Sequence, residues 1–143
     1  MKLLMIIWLA SYPKSGNTWV RIFLSSLLYS KDKIKVDINK IHISQFPLKN
    51  HFTNLVKDFL NLNEVTNNCL IAQDRINLDK KIKFFKTHSA LWKNQNTGQT
   101  FTNENNTLAV IHIVRDPRNI LSSVLDYFNK TILQRSFKFL KDK

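Results

Sequence analysis

The opening of the chain places the strongest constraint on its fold. An apolar run at residues 3–9 leads into a short loop at residues 10–16, after which Asn17–Tyr29 repeats apolar side chains at helical spacing. We predict a buried parallel strand, a tight loop and a helix, the first unit of an α/β fold. A short signal peptide is the alternative for the apolar start. No apolar run reaches the roughly 18 residues of a membrane span.

Two more strands are predicted, at residues 82–86 and 108–114, and the second of these is expected to be buried. A helix follows it to about residue 129, because Asp116 suits the N-cap and Pro117 suits the first helical position. The fold class expected is therefore α/β, with a mostly parallel sheet flanked by helices.

The middle of the chain gives weaker signals. Apolar spacing favours helices at residues 51–62 and 69–78, and an Asn-rich stretch at residues 93–106 predicts a surface loop. The absence of repeats and linkers predicts one domain over residues 1–143.

Composition and net charge limit the kinds of partner that we predict for the chain. The formal net charge of +12 would suit a polyanion, but the lysines are scattered without a basic stripe, so no nucleic-acid partner is predicted. Cys69 is the single cysteine, which excludes a disulfide within the chain and fits a cytoplasmic location. His42, His51 and His112 are given no functional role, and His112 is expected to be packed inside its strand.

Polar residues follow each of the three predicted strands. Lys14 comes after the first strand, His88 after the second and Arg115 at the end of the third. Parallel α/β sheets bind ligands outside the carboxyl ends of their strands. These three side chains are therefore expected to share one site.

The loop after the first strand is suited to an anion. The first amides of a helix have no partner within the helix, Gly16 permits close approach, and Lys14 adds a full charge. It is not a Walker A loop, because the lysine precedes the only nearby glycine. On these grounds alone, a capped helix with a surface lysine is equally compatible with the loop.

The residues YPKSGNTW closely resemble the 5′-phosphosulfate-binding loop of the PAPS-dependent sulfotransferases, where PAPS is 3′-phosphoadenosine 5′-phosphosulfate. The sequence departs from that pattern at Asn17, where the family has Thr. The resemblance implies that Lys14 stands near the bridging oxygen and that the donor is held by a loop comprising Lys14, Ser15, Gly16, Asn17, Thr18 and Trp19.

Two other segments carry the same resemblance. FFKTH resembles the segment that holds the family's catalytic base, which implies His88 as the base and Lys86 as a stabiliser of transition-state charge. Arg115 followed by Ser123 is similar to the 3′-phosphate motif. Without the resemblance, a structural histidine and a strand-end salt bridge remain alternatives.

The resemblance implies a P-loop-NTPase-like α/β fold and sulfuryl transfer from PAPS to a hydroxyl or amine acceptor, without a metal. The acceptor would be a small molecule, a glycan or a lipid; the oligomeric state is not predicted. The family's C-terminal Arg-Lys-Gly motif is absent, so the N-terminal part of a sulfotransferase domain, C-terminally incomplete, is expected. The alternatives are a non-catalytic chain that binds PAPS or its product PAP and, less favoured, a nucleotide kinase relative.

Overall fold

The computed structural model describes residues 5–29, 38–39, 41–91, 93–94 and 97–141. Its sheet has four strands, all paired in parallel in the order β2-β3-β1-β4. The strands are β1 (Ile6–Ser11), β2 (Ser44–Gln45), β3 (Lys83–Thr87) and β4 (Thr107–Ile113). The predicted α/β class is confirmed. Residues 3 and 4 of the first predicted strand lie outside the described residues.

Among these residues, three α-helices accompany the sheet: α1 (Asn17–Tyr29), α2 (Leu62–Ile76) and α3 (Pro117–Lys141). The predicted bounds of α1 are confirmed, whereas α3 continues well beyond residue 129. The Asp116 carboxylate accepts the Arg118 amide at 2.9 Å, which is the geometry of the expected N-cap. No helix in the described part of the chain combines the length and apolar character needed to cross a membrane.

Residues 51–62 do not form the helix that their spacing predicted. A 3-10 turn, Lys49–Phe52, leads into further turns that end at Asn61. The Asn61 side chain accepts the Glu64 amide at 3.2 Å and so begins α2 there. The region's apolar residues still contact the core, which accounts for the misleading pattern: Phe52, Leu55, Val56 and Phe59. The predicted stretch 69–78 falls in α2 and the following 3-10 turn, Asn77–Asp79.

The core lies between one face of the sheet and α2. Trp8 on β1 is 1% exposed, and its ring centroid lies 5.1 Å from that of Phe101 and 5.5 Å from that of Phe46. Its indole N–H donates to the Thr107 hydroxyl at 2.9 Å, so the polar end of the ring is also satisfied. Helix α2 contributes Val65, Cys69 and Ala72.

Strand β4 corrects two expectations. Residues 108–114 were predicted to form a buried strand, but the strand is largely exposed and so is His112, which was expected to be packed. Successive side chains of a strand face opposite sides of the sheet, and β4 is exposed on both sides, so within the described residues neither of its faces is covered. Its outer edge also meets no further described strand.

Candidate active site

A cleft of about 730 Å³ opens where β1, β3 and β4 end. Because β1 pairs with β3 on one side and β4 on the other, the segments after all three strands reach the same edge of the sheet. The cleft is lined by predicted site residues from all three segments: Lys14, Gly16, Asn17, Thr18, Trp19, Lys86, His88 and Arg115.

The loop between β1 and α1 turns through left-handed backbone conformations. Lys14 has φ 67° and Gly16 has φ 95°. A Cβ built on Gly16 would meet nothing within 4 Å, so the backbone here borders open space. The Gly16 carbonyl accepts the amides of Trp19 and Val20, which leaves the preceding amides at the start of α1 outside the helical hydrogen-bond ladder.

Two polar side chains of the loop are buried rather than solvated. Ser15 is 7% exposed and its hydroxyl has no hydrogen-bond partner. Leaving such a group unpaired costs about 1–3 kcal/mol. Ser15, a predicted site residue, is not among the residues that line the cleft. Asn17 is 5% exposed, and its amide nitrogen donates to the Leu9 carbonyl and the Ser11 hydroxyl, both at 3.0 Å. The Asn17 amide group therefore ties the loop to β1.

His88 is exposed to the cleft, and contacts with Ser11 fix the orientation of its ring. Its Nδ1 lies 2.7 Å from the Ser11 carbonyl oxygen and 3.3 Å from the Ser11 hydroxyl. A carbonyl can only accept, so Nδ1 carries the proton and donates it. Nε2 of the neutral ring is then left with its lone pair, the form that a proton acceptor needs.

Lys86 stands beside His88 on β3 and is held by Gln45. Its ammonium donates to the Gln45 side-chain oxygen at 2.8 Å. Burial, and secondarily the positive charge of Arg21, lower the pKa of Lys86. Arg21 is fixed nearby through two hydrogen bonds to the Ile43 carbonyl.

Arg115 and α3 close the opposite side of the cleft. The Arg115 guanidinium donates to the Lys14 carbonyl at 3.0 Å, and the Lys14 ammonium lies 4.1 Å from the centroid of the Tyr127 ring. Val124, Tyr127 and Phe128 line the cleft but are not among the predicted site residues. Their spacing of three and four along a helix was the signal that could have revealed them.

Ser123 lies on α3, half-buried, and is not among the residues that line the cleft. Its neighbour Val124 does line it. Within the described residues, no three His, Cys, Asp or Glu side chains form a group that could hold a metal ion.

Fold and cleft together define an α/β protein whose cationic site lies at the carboxyl ends of parallel strands. The family model described as the sulfotransferase domain matches residues 5–141, and the chain therefore belongs to the sulfotransferase domain family. Neither the curated proteins nor the solved structures include a match. The match confirms the prediction that the chain is a member of a sulfotransferase family, and it supports sulfuryl transfer as the general chemistry.

Proposed function

We propose that the chain transfers a sulfuryl group from PAPS to a hydroxyl acceptor, with an amine as the alternative acceptor. The observation that carries this proposal is the convergence of Lys14, His88 and Arg115 on one cleft. A cytoplasmic location and a single domain over residues 1–143 remain predictions alongside it.

The loop fits the donor's phosphosulfate end. The open space at Gly16 lets an anion approach the free amides at the start of α1. The buried Ser15 hydroxyl has no partner, but it would have to turn toward the cleft to join them. Lys14 would lie beside the bridging oxygen and stabilise the charge that develops there. Trp19, 72% exposed, offers its ring to the adenine.

Arg115 would bind the 3′-phosphate, since its guanidinium supplies several donors on the β4 side of the cleft. One of these N–H groups donates to the Lys14 carbonyl, so Arg115 contacts the loop proposed to bind the phosphosulfate. The proposed role of Ser123 in that phosphate site requires its side chain to turn toward the cleft.

His88 would accept the proton of the acceptor hydroxyl at Nε2, because Nδ1–H is committed to Ser11. PAPS, when bound, supplies the sulfuryl group: the acceptor oxygen bonds to sulfur as the bond to the bridging oxygen breaks, and PAP leaves. Lys86, beside His88, would stabilise charge on the transferring group.

Titration calorimetry with PAP and a sulfate-transfer assay test the proposal together. His88→Asn keeps a donor toward Ser11 but removes the base, so we expect kcat to fall by about 100- to 10,000-fold with PAP affinity unchanged. His112→Asn, the same change at an exposed position outside the cleft, is the matched control.

Other outcomes would assign the chain to other classes. PAP binding without turnover by the unaltered chain would identify a non-catalytic nucleotide-binding protein. Preference for ATP would favour a kinase relative. Loss of PAP binding in His88→Asn, with the fold intact, would contradict the role given to His88.

A further inference from the structure

Strand β2 is only two residues long, yet it places one side chain against the candidate active site. Gln45 lies opposite Lys86 in the parallel pairing of β2 with β3, and the Phe46 amide donates to the Lys86 carbonyl at 2.9 Å. The Gln45 side-chain oxygen accepts a hydrogen bond from the Lys86 ammonium at 2.8 Å. Lys86 lines the cleft, whereas Gln45 does not.

Helix α1 fixes the segment that leads into β2. The Arg21 guanidinium donates to the Ile43 carbonyl at 2.9 and 2.5 Å, and the Ser25 hydroxyl accepts the His42 amide at 3.1 Å. Arg21 and Ser25 are four residues apart and therefore share one side of the helix. Strand β2 is thus held between α1 and β3, and both of these elements determine where the Gln45 side chain lies.

Positive charges surround Lys86. Arg21 lies near it on α1, and Lys14 and Arg115 line the same cleft, as does His88. None of the described residues lining the cleft is Asp or Glu. Burial, and then the charge of Arg21, lower the pKa of Lys86, as expected for an ammonium without a counter-charge.

The partner of this ammonium is an amide rather than a carboxylate. A carboxylate at residue 45 would stabilise the ammonium more strongly, because opposite charges attract, but it would also offset much of the positive charge. The neutral Gln45 oxygen accepts one of the three ammonium N–H groups. The charge of Lys86 and its other two donors therefore remain for a ligand in the cleft.

We propose that Gln45 is a positioning residue for Lys86, whose ammonium it directs while leaving the positive charge free for the transferring sulfuryl group. Because Gln45 does not line the cleft, it acts through Lys86 rather than on the ligand. This role rests on the proposed function, in which Lys86 stabilises charge on the transferring group.

Gln45→Met tests the hydrogen bond, because it keeps an unbranched side chain of similar length and removes the amide oxygen. We expect kcat in the sulfate-transfer assay to fall by about tenfold, the equivalent of one hydrogen bond to a charged group. PAP affinity, measured by calorimetry, should stay the same, because PAP lacks the sulfuryl group that Lys86 would contact.

A double variant separates positioning from any independent role. If Gln45 acts only through Lys86, then Gln45→Met should change kcat by less than about twofold in a chain that already carries Lys86→Met. Losses in kcat that add in the double variant would overturn the proposal.

Gln45→Glu tests the need for a neutral partner. We expect kcat to fall by at least about tenfold, since the carboxylate offsets the charge of Lys86, while the chain becomes no less stable to heat. A purely structural role for Gln45 predicts that activity is kept along with stability, and that result would overturn the proposal.

Ser44→Glu is the matched control for charge. Ser44 is the other residue of β2, is exposed, and points to the opposite face of the sheet, so a carboxylate there should leave kcat unchanged. Equal falls in kcat for Ser44→Glu and Gln45→Glu would attribute the effect to charge on the strand and contradict a specific role for Gln45.

The titration of Lys86 gives a measurement that does not depend on turnover. With isotope-labelled lysine, the NMR signal of Lys86 is assigned by its loss in Lys86→Arg and followed over a pH series in the ligand-free chain. We expect Gln45→Glu to raise the pKa of Lys86 and Gln45→Met to lower it, because one adds an opposite charge and the other removes an acceptor.

An unchanged Lys86 titration in both variants would show that Gln45 does not hold the ammonium and would overturn the proposal. A chain that binds PAP without transferring sulfate would instead refute the proposed function. The titration would still decide, in that chain, whether Gln45 positions Lys86.

Discussion

At the scale of single residues, the orientation of His88 depends on a strand that lies far from it in sequence. The Ser11 carbonyl receives Nδ1–H, and the Asn17 amide holds the Ser11 hydroxyl from the other side. The motif made His88 predictable, but no local pattern pairs it with Ser11, because the two meet only when β3 lies beside β1. The sequence also indicated Asn17 as a donor to the ligand, whereas its amide nitrogen is directed at β1.

Ser11→Ala separates the two contacts to His88. It removes the hydroxyl at 3.3 Å and keeps the carbonyl at 2.7 Å, so the tautomer should persist. A neutral hydrogen bond contributes about 0.5–1.5 kcal/mol, which limits the expected fall in kcat to roughly tenfold. Steady-state kinetics over a pH series provide the measurement. A loss as large as that of His88→Asn would show that the hydroxyl, not the carbonyl, sets the proton position.

At the scale of elements, the sequence predicted the helices and strands in which the spacing of apolar residues is uninterrupted. α1 combines an apolar stripe with a glycine-bearing loop before it, and its bounds agree with the structure. β2 has only two residues, too few for any periodicity to show. The start of α2 was misjudged because Phe52 and Phe59 mimic helical spacing while packing from turns. Asn61 was the overlooked signal, since Asn followed by Glu three residues later is typical of a helix start.

Asn61→Ala tests that cap. Its side chain satisfies the Glu64 amide at the start of α2, so we expect the free energy of unfolding to fall by about 1 kcal/mol. Urea denaturation followed by circular dichroism measures the change. Asn61→Asp keeps an acceptor oxygen and should retain nearly full stability; if it lost as much as Asn61→Ala, capping would not be the cause.

At the scale of the whole molecule, the site depends on strand order more than on any motif. The sequence placed Lys14, His88 and Arg115 after three strands, but their adjacency follows from β1 lying between β3 and β4. Strand order is set by long-range pairing, which one sequence does not display. The exposure of β4 was likewise hidden, because an apolar run is compatible with both central and edge positions.

The open side of β4 gives a prediction about the isolated chain. Leu108, Val110 and Ile111 are all 40% exposed or more along an edge that, among the described residues, has no neighbouring strand. Unpaired edges with apolar side chains template association with other chains. We therefore expect the chain to self-associate as its concentration rises, in sedimentation velocity experiments.

Val110→Lys should suppress that association, because a charge on an edge strand opposes edge-to-edge pairing. Leu78→Lys, at a position 78% exposed on a 3-10 turn outside the sheet, adds the same charge and should leave association unchanged. Equal effects of the two variants would attribute the behaviour to net charge rather than to the strand. A chain that stays monomeric throughout would mean that the β4 edge is protected in solution. PAP binding measured on the same samples would show whether the cleft is formed in that state.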